Sequence, residues 1–124
     1  MDERIFVGVC RLVLLIPGAR SLKDRRQAVA SVRDRIAHRF PVSVHEVDTA
    51  DLVNRQTLVV TTAGNDASIL RSNLDKIASF VRSNGNVLLS GVDADVFRWH
   101  APDDPFTALE IERSDHLPDD PGER

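Results

Sequence analysis

Residues 5–27 read IFVGVCRLVLLIPGARSLKDRRQ and hold the signals that decide the fold. Val, Ile and Leu dominate the run up to Ile16, and that composition favours an extended strand. The Pro17–Gly18 pair ends the strand, and Ser21 is a good N-cap for a helix that begins at Leu22. The stretch therefore predicts a strand, a turn and a helix in succession.

Strand and helix signals continue to alternate along the rest of the chain. The predicted elements are strands over 4–15, 42–48, 55–63 and 86–97, a first helix over 22–40, and a second helix with an apolar stripe at Leu70, Leu74, Ile77 and Val81. Their order is βαββαβ. Right-handed crossovers then place both helices on one face of a four-stranded antiparallel sheet. The sequence therefore predicts a ferredoxin-like α+β fold.

The 124 residues are expected to form one domain followed by a tail. We expect the domain to span residues 1–97. Residues 98–124 are rich in Pro and Asp, with eight Asp and Glu against three Arg, and are expected to be partly disordered. The side chains that can attach the first part of this tail to the domain are Trp99, Phe106, Leu109 and Ile111.

Cysteine content and hydropathy indicate a protein of the cytoplasm. The single Cys10 excludes an internal disulfide and fits a reducing compartment. The apolar run over residues 5–16 is too short to span a bilayer, and Arg11 interrupts it. A buried strand is therefore expected there, and no membrane association.

The first predicted helix is strongly basic. Residues 20–39 hold seven Lys and Arg against only Asp24 and Asp34. Free helix N–H groups, a glycine-containing loop and several cations meeting at one place are typical of an anion site. RNA or ribosome phosphates are the expected ligand, and DNA is not expected. The predicted anion-binding residues are Arg20, Lys23, Arg25, Arg26 and Arg33.

The same charges have a purely structural interpretation, because runs of charge are usually solvated faces. On a helical wheel Arg25 lies within the apolar stripe of the first helix, near Val32. Its stem is then expected to lie on the core, with its head in water or paired with Asp93 or Asp95. Both interpretations remain open at the level of sequence.

Catalytic, metal and cofactor signatures are not evident in the sequence, so an enzyme is not expected. The four histidines do not pair with one another or with Cys10 at the spacing of metal ligands. An RNA-recognition motif shares the predicted topology but stacks bases on aromatic residues of the sheet. The first strand here offers only Phe6 and the third offers none, so base stacking on the sheet is not expected.

Three separated motifs occur along the chain: Ser-Leu-Lys-Asp-Arg-Arg at residues 21–26 follows a Pro-containing turn, Glu-Val-Asp ends a strand at 46–48, and Asn-Asp at 65–66 begins a helix. In this order they resemble the YlxP-like family, which is catalogued as domain of unknown function 503. The resemblance spans roughly residues 4–95. It implies a small bacterial ferredoxin-like protein whose molecular role is not established. Its genes often neighbour those for translation initiation and ribosome-binding factors, which implies an accessory role near RNA or the ribosome.

A second functional hypothesis concerns the sheet. An open four-stranded sheet with apolar residues on both faces needs a cover. That cover is expected to be a second subunit or the tail around Trp99 and Phe106. The chain would then be a regulatory or scaffolding module that acts by homodimerisation or by binding a protein partner through its sheet.

Overall fold

Two helices pack on one face of a four-stranded antiparallel sheet in the computed structural model, which describes residues 3–47 and 52–101. The elements are β1 (Ile5–Leu15), α1 (Leu22–Arg39), β2 (Ser43–Val47), β3 (Arg55–Gly64), α2 (Ala67–Arg82) and β4 (Leu88–Trp99). The predicted ferredoxin-like fold is confirmed. β4 continues two residues past the predicted end of the domain, while the predicted tail from residue 102 lies outside the described residues.

β1 lies inside the sheet, whose strand order is β2-β3-β1-β4. It pairs with β3 from Phe6 opposite Gly64 onward, and with β4 from Ile5 opposite Trp99 onward. The register with β4 shifts once, between Val13 and Leu14. The most apolar strand of the chain therefore gains hydrogen-bonded partners on both sides.

Strand alternation sends one half of the sheet residues toward the helices, where the core forms. The two central strands supply the buried side chains of Cys10, Leu12, Leu14, Leu58 and Val60. The helices cover them with Val29, Val32 and Ile36 from α1, and Leu74, Ile77 and Val81 from α2. Burying each large aliphatic side chain stabilises the fold by about 1.5–3 kcal/mol.

α2 approaches the sheet closely at Gly8, in β1. A Cβ at this position would lie 2.9 Å from Thr62 Cγ2 and 3.3 Å from Leu74 Cδ1. A side chain here would first meet Thr62 of the neighbouring strand β3 and then the end of the Leu74 side chain. The missing side chain of Gly8 therefore leaves room for both residues to pack over β1.

Both helices begin with side-chain caps. The Asp24 N–H donates to Ser21 Oγ at 3.1 Å, and the Asp24 carboxylate accepts from the Arg20 N–H at 3.0 Å. At α2, Asp66 accepts from the backbone N–H groups of Ser68 and Ile69 at 2.9 and 3.3 Å. The Ser68 hydroxyl also donates to Asp66 Oδ1 at 2.7 Å. These caps fix where each helix starts.

The second face of the sheet, which no described helix covers, is called the open face below. It carries the alternate residues of every strand, among them Val7, Val9 and Arg11 of β1 with their partners Phe97, Asp95 and Asp93 of β4. Arg11 Nη1 lies 3.2 Å from Asp93 Oδ2 near the middle of the face. Around this ion pair the face carries both apolar and polar side chains, among them Val9 and Val59 with Thr61 and His45.

Candidate functional site

Three of the five predicted anion-binding residues present exposed charges at the start of α1. Arg20, Lys23 and Arg26 are exposed. None of them forms an ion pair with a carboxylate of the described residues. Their role in binding an anion stays a prediction, and these three cations remain available for it.

Arg25 has a structural role. It is half-buried, and its guanidinium Nη1 donates a hydrogen bond to the backbone carbonyl of Leu52, in the connection before β3. The predicted pairing with Asp93 or Asp95 is wrong, because strand register places both carboxylates on the open face, across the sheet from α1. The expectation that the Arg25 stem lies along the apolar stripe agrees with its partial burial.

Arg33 is neutralised by two carboxylates. Its Nε lies 3.1 Å from Asp34 Oδ1, and its Nη1 pairs with Glu46 Oε2 of β2. Hydrogen bonds to Asp34, and then to Glu46, raise the pKa of the Arg33 guanidinium. The side chain thereby joins α1 to the edge strand, and its charge is balanced where the sequence predicted a free cation.

The loop before α1 does not gather cations around a cavity. A cleft of about 350 Å³ lies beside Gly18, and its polar lining consists of Asp24, Gln27, Ser31 and Asn86. No Lys or Arg of the described residues lines it. The exposed cations of α1 therefore lie outside this cleft, and anion binding at the glycine-containing loop stays a prediction.

A larger groove of about 770 Å³ lies elsewhere, along α2 beside the last turn of α1. Its cations are Arg39, Arg71 and Lys76, and Asp75 is the one carboxylate among its described lining residues. Its remaining lining consists of Ser68, Ser72, Ser79, Ser83, Phe40 and Phe80. Hydroxyl and guanidinium donors in one groove suit an anion with several acceptor oxygens. We call this feature the α2 groove.

Aromatic side chains form one end of the α2 groove. The rings of Phe40 and Phe80 meet edge to face with centroids 6.1 Å apart. The Arg39 guanidinium carbon lies 5.2 Å from the Phe80 centroid and 6.0 Å from the Phe40 centroid. This cation–π arrangement holds a planar, charged group at the rim without a carboxylate partner among the described residues.

Sequence reasoning missed the α2 groove, although part of its signal was present. Ser68, Ser72, Ser79 and Ser83 recur at helical spacing opposite the apolar stripe of α2. That spacing places them on one exposed face. The contribution of Arg39 and the two phenylalanines depends on the packing of α1 against α2, which no local pattern reveals.

Charge is divided unequally between the two layers of the fold. The helices α1 and α2, called the helical layer below, hold nine Lys and Arg against three Asp. The four strands hold three Arg against three Asp and Glu. The positive charge of the described domain is therefore concentrated on one side of the molecule.

Among the residues that the structure describes, the remaining titratable groups do not assemble into a metal site. Cys10 is fully buried, and burial, followed by the charges of Asp93 and Asp75, raises the pKa of its thiol. Within residues 3–47 and 52–101, no three His, Cys, Asp or Glu side chains are grouped so that they could hold a metal ion. Neither described helix is long and apolar enough to cross a membrane.

A family model described as "Protein of unknown function (DUF503)" matches residues 7–93. The chain belongs to the DUF503 family. This confirms the resemblance seen in the sequence, since the YlxP-like family is the DUF503 family. The matched residues include the cap of α1, the α2 groove and the first half of β4, whereas residues 94–124 lie beyond the match.

Other comparisons give only distant likenesses. The search of curated proteins finds no match. The designed protein Foldit4 aligns with a TM-score of 0.46 at 12% identity, over 77% of this chain and 99% of the other. A C-terminal segment of the alpha subunit of aIF2 from Pyrococcus abyssi scores 0.44 at 15% identity, over 82% of this chain and 55% of that one. SnoaB, a cofactor-independent oxygenase from Streptomyces nogalater, scores 0.41 at 13% identity, over 80% and 96%.

Proposed function

We propose that this DUF503 protein is a binding protein, not an enzyme, and that its helical layer contacts the phosphate backbone of RNA. The observation that carries the proposal is the unequal charge of the two layers: nine cations against three carboxylates in the helices, and equal numbers in the strands. A cationic surface attracts a polyanion even when the whole chain has a net charge of −3.

The α2 groove favours a single strand over a duplex as the ligand. Arg71 and Lys76 can contact phosphates, while the serine hydroxyls can donate to phosphate or to sugar oxygens. Arg39, held over Phe80, presents a guanidinium plane on which an unpaired base can stack. An accessory protein of the ribosome would meet such strands, which agrees with the role that the family resemblance implies.

Binding should depend steeply on salt and weakly on sequence. Each phosphate contact on a single strand contributes about 0.7 to the slope of log affinity against log salt. Four contacts would lower the affinity about 50-fold between 50 and 200 mM salt. Contacts to specific bases would add affinity that salt does not reduce. The salt dependence of the affinity therefore separates base contacts from phosphate contacts.

The test measures the affinity of a fluorescent single-stranded RNA for three charge variants. Arg71→Gln with Lys76→Gln removes two cations of the α2 groove, and Lys23→Gln with Arg26→Gln removes two at the start of α1. The matched control is Arg11→Gln with Arg98→Gln, which removes two cations from the strands. Each helical pair is expected to weaken binding and to reduce the salt slope by about 1.4, with little change for the control.

Two results would contradict the proposal. One is equal loss of affinity in the helical and control variants, which would indicate attraction by overall charge alone. The other is undetectable binding of the unmodified chain at low salt. Tighter binding to duplex DNA than to the RNA strand would overturn the choice of ligand.

A second candidate function, homodimerisation or protein binding through the sheet, is favoured by the large apolar side chains that are exposed on the open face. Phe97 and Trp99 at one end, with Leu15 and Leu88 at the other, are large hydrophobic side chains exposed on it. Such a surface needs a cover. If a second subunit or a partner protein covers the face, this function is supported. If another part of the same chain covers it, this function is not supported.

A further inference from the structure

β4 is an edge strand with one side free among the described residues. In the sheet order β2-β3-β1-β4 it pairs only with β1, and it runs for 12 residues from Leu88 to Trp99. Over residues 3–47 and 52–101, no loop forms a backbone hydrogen bond to its other side, which we call the outer edge of β4. Unpaired N–H and C=O groups along a strand are a template for the addition of a further strand.

The outer edge of β4 is long and regular. Edge strands are commonly protected by being short or by carrying proline or lysine, and β4 contains neither residue. The other edge strand, β2, has five residues. The one register shift of β4 lies opposite Val13 and Leu14, so residues 91–99 pair with β1 without interruption. An extended chain therefore has a straight stretch of backbone to pair with.

We propose that the outer edge of β4 binds an extended segment of a partner protein that carries Lys or Arg at every second position. The segment adds a fifth strand to the sheet, with its backbone paired to β4 and its cations beside Asp93 and Asp95. This proposal names a partner for protein binding through the sheet, the second candidate function above, and does not depend on RNA binding by the helical layer. Strand addition takes affinity from main-chain hydrogen bonds and specificity from alternate side chains.

The carboxylates of β4 determine the charge of the added strand. Asp93 and Asp95 are two residues apart and therefore share the open face. Asp95 forms no ion pair with any described residue, and Asp93 keeps 73% of its side chain exposed although it pairs with Arg11. Opposite charges on neighbouring strands stabilise the pair, and like charges destabilise it. A strand with cations on its open-face side is therefore favoured at this edge.

Aromatic side chains continue the same row toward the end of β4. Phe97 and Trp99 lie on the open face beyond the two aspartates and are 43% and 46% exposed. Aromatic rings beside an added strand give cross-strand contacts, and they also attract the side chains of Lys and Arg. The open-face row of β4 thus offers carboxylates and rings to the same cationic residues.

A cleft adjoins β4 on the side of the helices. It has a volume of about 270 Å³ and lies between α2 and β4, with Leu74, Ala94 and Val96 as its apolar lining. Its polar lining consists of Arg71, Asp75 and Asp95. The side chains of an added strand alternate, so those between the cations point toward the layer of α2. An aliphatic residue at these positions can enter the cleft, which predicts a segment that alternates basic and aliphatic residues.

The same carboxylates disfavour two other strands. An antiparallel pair of β4 strands from two copies, centred on Asp93, Ala94 or Asp95, places an aspartate of one copy opposite an aspartate of the other. The registers that pair the middle of the strand are therefore repulsive in a dimer. The chain's own residues 102–124 carry eight Asp and Glu against two Arg, so their charge also opposes binding at this edge. A basic segment of another protein is the strand whose charge complements β4.

The test measures the binding of a fluorescent ten-residue peptide that alternates Lys and Val, by anisotropy, to the full chain. A peptide that alternates Glu and Val is the matched probe and is expected not to bind. Asp93→Asn with Asp95→Asn is expected to weaken binding of the Lys–Val peptide about tenfold. Asp34→Asn with Glu46→Gln is the matched control, because it removes the same charge and also releases one arginine from an ion pair. It should change the affinity less than twofold.

A second measurement tests strand addition directly. Bound Lys–Val peptide is expected to slow the amide hydrogen exchange of residues 91–99. The same peptide with every backbone nitrogen methylated keeps its charges but cannot donate to β4, and it should bind at least tenfold more weakly. Far-ultraviolet circular dichroism checks that each variant is folded. Asp95→Asn alone, which leaves every described ion pair intact, should still weaken binding about threefold.

Four results would overturn the proposal. The first is no binding of the Lys–Val peptide, and the second is equal loss of affinity in the test and control variants, which would place the peptide elsewhere on the chain. The third is binding of the methylated peptide as tight as that of the unmodified one. The fourth is a dimer in sedimentation equilibrium whose β4 amides are protected without peptide. That result would keep homodimerisation as a function and identify a second copy as the added strand, whereas a monomer that binds no peptide would contradict both.

Discussion

Gly8 is a single residue whose missing side chain determines how two elements fit together. The space that its Cβ would need is taken by Thr62 Cγ2 and Leu74 Cδ1. Thr62 is β-branched and has little freedom to rotate away. Relief of this contact therefore requires a shift between β1 and β3, and the Leu74 side chain of α2 would also have to give way.

Gly8→Ala is expected to destabilise the protein by about 1–3 kcal/mol, the usual cost of overpacking a core. Gly85→Ala is the matched control, because a Cβ there meets no atom within 4 Å. Urea unfolding followed by circular dichroism measures both. A Gly8→Ala protein as stable as the control would show that Thr62 and Leu74 can adjust without loss of packing.

Individual arginines show the limit of sequence analysis at this scale. The wheel placed Arg25 on the apolar stripe, and the structure half-buries it, but its partner is a carbonyl that no pattern in α1 could name. Glu46 lies 13 residues after Arg33, and only the register of β2 brings the two together. Helical periodicity thus predicted that Arg25 is partly buried. The hydrogen-bond and ion-pair partners of Arg25 and Arg33 depended on tertiary structure.

α2 illustrates how a charge stabilises a whole element. Asp66 caps its first turn, and the Ser68 hydroxyl, followed by the Ile69 N–H, lowers the pKa of the Asp66 carboxyl. A lowered pKa in the folded state means that the stabilisation is present at neutral pH and is lost as pH falls through that pKa. The helix start is therefore sensitive to acid.

Asp66→Asn keeps an oxygen acceptor but removes the charge, so it should lower the melting temperature at pH 7. The difference from the unmodified protein should shrink as pH falls through the lowered pKa of the Asp66 carboxyl, where that group becomes protonated in the folded protein. Asp75→Asn, a change of the same kind later in α2, is the control. Melting curves at several pH values measure the effect, and a difference that does not vary with pH would contradict it.

The helices and strands were more predictable from the sequence than the contacts between them. The apolar stripe of α2 and the Asp at its start are local signals, and the structure begins α2 at Ala67 directly after Asp66. The alternation of β2 was harder to interpret, because Val44 and Glu46 share the face toward α1. Glu46 pairs there with Arg33 of α1. This contact between two elements explains why a charged side chain lies on the side of β2 that faces the helix.

At the scale of the molecule, Cys10 reports on global opening. It is fully buried in β1, beneath the helices and between two paired strands. Burial is the first cause of its raised thiol pKa, so little thiolate is present near neutral pH. Its exposure requires the helices to leave the sheet.

A thiol reagent is expected to label Cys10 at least about a thousandfold more slowly in buffer than in urea, as the stability of a small domain implies. Ser72→Cys adds an exposed thiol on α2 and gives the reference rate within one folded molecule. Mass spectrometry of the labelled protein distinguishes the two sites. Comparable rates at both would show that the layers separate locally.

Because β1 lies inside the sheet, it has to wait during synthesis for partner strands that are made later. Its partner β4 ends at Trp99, which is made 84 residues after Leu15. At the usual rate of translation that interval lasts about 4–17 s. During this time an apolar strand with high β-propensity has an unpaired edge, the type of segment that other chains can bind. β3 pairs with one edge of β1 early. The other edge of β1 stays unpaired until β4 has left the ribosome.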